Sequence, residues 1–165
     1  MARRKKRCGF SKKQARLHTS EAMARREEII GRNPWGGYNH SSLGGEFMRM
    51  GSVDFAIAEF EKAVAINPWE SQFKMNLARA YIQKGGLEKA RQSLAAIFKK
   101  QPNLAEGLFV QALLYEAQGQ PPQAMRYYMR CIEAGANDSI RKQAPENMMA
   151  LRRNPNNDKP TDTGG

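Results

Sequence analysis

The chain has 165 residues, 41% of them hydrophobic, which is enough apolar content for one ordinary domain with a packed core. Its net charge of +11 is unevenly distributed: residues 1–32 carry 11 Lys/Arg against 3 Asp/Glu, whereas residues 33–165 carry 16 against 13, so the excess belongs to an N-terminal arm. No apolar run approaches the roughly 18 residues of a membrane span, two Cys and two His lack the close pairings of a zinc site, and no phosphate loop, nucleophile motif or His-carboxylate cluster argues for catalysis or a cofactor.

Residues 1–18 hold Arg3, Arg4, Lys5, Lys6 and Arg7, followed by Lys12, Lys13 and Arg16. Contiguous cations repel one another and favour an extended, solvated segment, so a disordered basic arm is expected. Its functional reading is contact with a polyanion (nucleic acid, the ribosome, an anionic membrane surface) or insertion into a larger complex as one of its subunits. A solubilising tail and an organelle transit peptide stay open as alternatives. Lys12, Lys13, Arg16, His18 and Glu21 interrupt Cys8 to Ala24, leaving no apolar segment for a secretory signal, and a cytoplasmic location is expected. Cys8 reads as an ordinary exposed thiol. Thr19 or Ser20 can cap a helix running to Ile30, and residues 19–36 read as a degenerate half-repeat or N-terminal capping helix.

From residue 37 the apolar spacing is helical. Val53, Ala56, Ile57, Phe60, Ala63, Val64 and Ile66 form one broad stripe, which predicts a helix over Val53 to Ile66. Gly51 and Gly85-Gly86 fall where a tight turn between antiparallel helices needs positive φ. The helix before Gly51 carries Gly44-Gly45 after Gly36-Gly37, and each interior glycine costs about 1 kcal/mol relative to alanine. Tight packing with a frayed start is the reading preferred for these glycines, over close backbone approach of a partner. Further helices are expected over 70–84, 87–100, 104–118 and 121–134, the last with Pro121-Pro122 tolerated in its first turn. After the capping cluster Asn137-Asp138-Ser139, residues 139–153 read as a C-terminal capping helix that Pro145 must kink or restart. Residues 154–165 lack apolar side chains and read as a disordered tail.

Small and aromatic residues recur at a spacing of 34: Gly44, Ala78 and Ala112; Phe47, Tyr81 and Tyr115; Gly51, Gly85 and Gly119; Ala56, Ala90 and Ala124; Phe60, Leu94 and Tyr128. Asn33-Pro34-Trp35 returns as Asn67-Pro68-Trp69. A fixed period of this length marks a stacked array of supersecondary units. In that phase Cys131 matches Ala63 and Ile97, a buried small hydrophobe, while His18 and His40 read as surface residues. The pattern Leu43-Gly44-x2-Phe47, Ala56-x3-Phe60, Pro68, with its echoes at Leu77-Ala78-x2-Tyr81 and Ala112-x2-Tyr115, resembles the tetratricopeptide repeat family, although the family's tryptophan is absent and its proline is lost in the third repeat.

The resemblance covers residues 37–138 as three repeats. It implies an all-α, right-handed solenoid of antiparallel helix pairs, a non-catalytic scaffold or adaptor that binds a peptide or helix of a protein partner in its concave groove. The first helix of each pair would line that groove with Tyr38, Ser41, Ser42, Met48 and Arg49, then Gln72, Met75, Asn76, Arg79 and Gln83, then Glu106, Phe109, Val110 and Leu113. Exposed Met, Phe and Val among polar anchors would suit an apolar stripe or an amphipathic helix, with burial under neighbouring helices the alternative for Phe109 and Leu113. Chaperone-binding members clamp a C-terminal carboxylate with Lys, Asn, Asn, Lys and Arg. The corresponding positions here are Ser41, Gly45, Asn76, Glu106 and Val110, so that ligand class is not expected. The alternative function is a nucleic-acid- or ribosome-associated factor held mainly by its arm.

Overall fold

Apolar stripes with a period near 3.6 residues oblige each helix to bury one face against a neighbour. The computed structural model describes residues 36–153, which form seven helices: α1 (Gly37–Arg49), α2 (Val53–Ile66), α3 (Ser71–Lys84), α4 (Leu87–Phe98), α5 (Ala105–Ala117), α6 (Pro121–Glu133) and α7 (Asp138–Arg153). The basic arm, most of the segment 19–36 and the segment 154–165 lie outside the described residues.

Helices pair in sequence as α1 with α2, α3 with α4 and α5 with α6, and each pair docks on the next. The odd-numbered helices α1, α3, α5 and α7 also contact one another in order, forming a continuous inner row. The fold is an all-α helical repeat.

The 34-residue phase accounts for the packing. Ala56, Ala90 and Ala124 are fully buried, as are Leu94, Tyr128 and Cys131. One apolar cluster runs from α1 into α5, a second from α5 into α7, and Phe98 packs against both. Left-handed glycines terminate the first helix of every pair, with φ of 76° at Gly51, 82° at Gly85 and 68° at Gly119, a conformation that a Cβ would strain.

Helix ends differ from the expected ones by a residue or two. Glu70 is not the first residue of α3 but its cap, accepting from the Gln72 amide at 3.2 Å. Asn137 caps α7, its Oδ1 accepting from the Ile140 amide at 3.1 Å. Pro145 does not begin a new helix: α7 continues through it to Arg153. The later half of α7 is tied down by the bond that Asn147 donates to the Tyr128 hydroxyl (2.9 Å), and by Met148 and Leu151 against the second cluster, which offsets the hydrogen bond proline cannot make.

Candidate functional site

The inner row of helices carries two adjoining cavities. One, about 190 Å³, lies between α3, α5 and the start of α7; the other, about 540 Å³, lies between the later turns of α1, α3 and α5. Gln72, Met75, Asn76, Arg79, Glu106, Phe109 and Val110 line the first. Met48, Arg79, Gln83 and Leu113 line the second. Arg79 is common to both.

Tyr38 and Arg49 line neither cavity. Tyr38 is exposed, donates its hydroxyl to Glu70 at 2.9 Å and sets its ring edge-on to Phe73. Arg49 pairs with Glu46 one turn earlier on α1. The expectation of exposed Met, Phe and Val also needs correction: Met75, Phe109 and Val110 are at most 4% accessible. They form the floor of the groove, because α3, α5 and α7 contact one another in order along the inner row and the Phe109 ring packs against Tyr128, 5.5 Å between centroids.

Above this floor sits a polar ladder. Gln72 donates to Asn76, and Asn76 donates to the Ser41 hydroxyl, each at 3.1 Å, which joins α3 to α1. Asn137 donates to Glu106 at 3.3 Å, which joins α7 to α5. Amide side chains keep further donor and acceptor capacity, and so can meet the backbone of an incoming segment.

Asn137, the cap of α7, and Ser139, Ile140 and Gln143 of α7 complete the first cavity. Ile82, Glu116 and Ala117 complete the second. None of these seven stood among the expected groove residues, yet the phase contained them. Ile140 is in phase with Gln72 and Glu106, Gln143 with Met75 and Phe109, and Glu116 with Met48 and Ile82.

Beneath the groove, burial and the neighbouring Glu106 carboxylate push the Cys131 thiol up to about 11. Burial likewise raises the Tyr128 hydroxyl, which donates to Glu116 at 2.7 Å. His40 is not a surface residue. It is buried against Glu59 of α2, so the molecule does hold a His-carboxylate pair; that pair is closed in by the helices and opens into neither cavity. Among the described residues no cluster of three or more His, Cys, Asp or Glu could hold a metal ion, and no helix is long and apolar enough to cross a membrane.

Two family models match this chain, both described as tetratricopeptide repeat, one over residues 47–114 and one over 106–134, together more than half of it. The chain belongs to the tetratricopeptide repeat family. Solved structures of other tetratricopeptide repeat proteins share the fold at low identity. TTC0263, a thermophilic protein of Thermus thermophilus, is 18% identical with a TM-score of 0.68, covering 82% of this chain and 76% of its own. MamA is 18% identical with a TM-score of 0.63, covering 85% and 75%. The first repeat domain of Spaghetti (RPAP3), solved with the HSP90 peptide SRMEEVD, is 17% identical with a TM-score of 0.57, covering 70% and 93%. A comparison with curated proteins finds no match.

Proposed function

We propose that this protein is a non-catalytic interaction scaffold whose inner groove takes a peptide or helix of a protein partner. The observation that carries the reading is the composition of the groove: partly exposed Met48, Ile82 and Leu113 wall the larger cavity, and Gln72, Asn76, Arg79 and Gln143 line the adjoining one. Such a surface offers apolar contact area together with fixed hydrogen-bonding positions, the usual make-up of a peptide site. RPAP3, of the same fold, is bound to an HSP90 peptide. A carboxylate-tail ligand does not suit this groove, where Ser41, Gly45 and Glu106 stand at clamp positions and Glu106 would repel the tail. Cytoplasmic work on soluble partners fits this reading.

The test is affinity purification of the tagged full chain beside a variant in which Gln83→Trp and Ala117→Trp fill the larger cavity from exposed positions. Partners recovered with the parent and absent with the filled variant, at equal helicity, support the reading. An unchanged set of partners refutes it.

A second reading rests on charge. Because residues 1–32 hold most of the net positive charge, the arm adds attachment to a polyanion, or to an acidic surface inside a larger complex, while the helical stack supplies selectivity.

A further inference from the structure

Three charged side chains line the two cavities: Arg79, Glu106 and Glu116. Each carboxylate already accepts a hydrogen bond, Glu106 from Asn137 at 3.3 Å and Glu116 from the Tyr128 hydroxyl at 2.7 Å. Arg79 is exposed, and its guanidinium has no ion pair or hydrogen bond among the described residues. Its phase equivalents, Gly45 and Leu113, are uncharged, so the stack sets one cation midway along the groove. Next to it lies the larger cavity, whose apolar wall is Met48, Ile82 and Leu113.

We infer that the groove selects a segment in which one acidic side chain pairs with Arg79 and an adjacent large apolar side chain fills the cavity walled by Met48, Ile82 and Leu113. This rests on the groove reading above. Water solvates the guanidinium while the groove is empty. A carboxylate that arrives as a neighbouring apolar group displaces water makes a charge-assisted, bidentate contact in a lowered dielectric. Of the two cavities that share Arg79, one is lined by Glu106 and the other by Glu116, and their like charge disfavours a second or third acidic residue. The selected segment therefore carries one acid beside a Leu, Met, Ile or Phe, not an acidic run.

Random peptides displayed on phage and selected against the immobilised full chain test this directly. Enriched sequences are expected to carry a single Asp or Glu within two residues of a large apolar residue. Synthetic versions should bind Arg79→Glu about tenfold or more weakly, and changing their acid to Lys should restore binding to that variant. Peptides that lack an acid, or that bind parent and Arg79→Glu alike while losing affinity for Ala117→Trp, overturn this inference and leave the groove reading standing. Enriched peptides indifferent to Ala117→Trp, or no enrichment at all, overturn both.

Discussion

His40 on α1 donates from Nδ1 to the Glu59 carboxylate on α2 at 2.7 Å, with only 9% and 11% of the two side chains accessible, and Lys62 holds the other oxygen of Glu59 at 2.6 Å. The donor assignment follows from chemistry, since an ionised carboxylate can only accept. Repeats two and three have no counterpart, carrying Lys74 and Leu108 in the phase of His40 and Ser93 and Tyr127 in the phase of Glu59. Glu59→Ala leaves a buried imidazole without its acceptor and is expected to cost about 1–3 kcal/mol. His40→Leu with Glu59→Leu removes both polar groups and should recover much of that loss. Urea unfolding of His40→Leu, Glu59→Leu and the double Leu variant measures the coupling, and simple additivity would contradict a buried, interdependent pair.

That pair is not legible in the sequence. Small residues at 44, 56, 78, 90, 112 and 124 announced the close helix contacts because volume is written in residue type. His40 reads as a surface residue from its place at a helix start, although both it and its phase equivalent Leu108 are buried. The deciding fact is a carboxylate 19 residues away on the facing helix, visible only once α1 and α2 are laid side by side. The groove divides in the same way. The family resemblance named Gln72, Asn76 and Arg79 for the groove, and all three line the first cavity, whereas the burial of Met75 and Phe109 depends on how closely α3, α5 and α7 approach. Met75→Ala is consequently no clean groove variant, since truncating so buried a side chain costs stability as well.

Adjacent glycines on α1 make opposite predictions. A Cβ on Gly44 would lie 2.7 Å from the Phe60 ring, which is buried, whereas a Cβ on Gly45 meets nothing within 4 Å. Gly45→Ala should stabilise by up to about 1 kcal/mol through helix propensity. Gly44→Ala gains the same propensity but overpacks, with a cost of about 1–3 kcal/mol, for a net loss. Adding Phe60→Leu, which copies the Ala78 and Leu94 combination of the second repeat, should relieve part of the strain. Thermal melts of the four proteins check this, and equal shifts for Gly44→Ala and Gly45→Ala would refute the close approach.

Alkaline pH should loosen the stack. Burial pushes Cys131 from 9.0 up to about 11, and burial with the bond to Glu61 pushes Tyr81 from 10.0 up to about 12. Both groups keep their protons longer when folded than when unfolded, so their contribution is fully present below pH 9. It falls as pH rises, first through the interval from 9 to about 11 for Cys131, then from 10 to about 12 for Tyr81. The urea midpoint should therefore drop steadily above pH 9. Cys131→Ala, which borrows the residue at Ala63, should flatten the earlier part of that drop. A midpoint constant across the whole interval would contradict the burial of these groups.

The basic arm makes a prediction of a different kind, in the salt dependence of binding. Deleting residues 2–18 removes Arg3, Arg4, Lys5, Lys6, Arg7, Lys12, Lys13 and Arg16 and no acidic residue, lowering the formal charge from +11 to +3. If these cations neutralise phosphates, affinity for duplex DNA should fall with salt at a log-log slope of roughly −0.9 per contacted phosphate, because each contact releases condensed counterions. The truncated chain should show a much flatter slope, while binding of a groove peptide, governed by burial and local hydrogen bonds, should scarcely change. Titrations of both proteins with fluorescent RNA, duplex DNA and anionic vesicles at several salt concentrations separate the candidate polyanions. A parent protein insensitive to salt, or a truncation with the parent's slope, would reduce the arm to a passive tail and leave the groove as the sole binding surface.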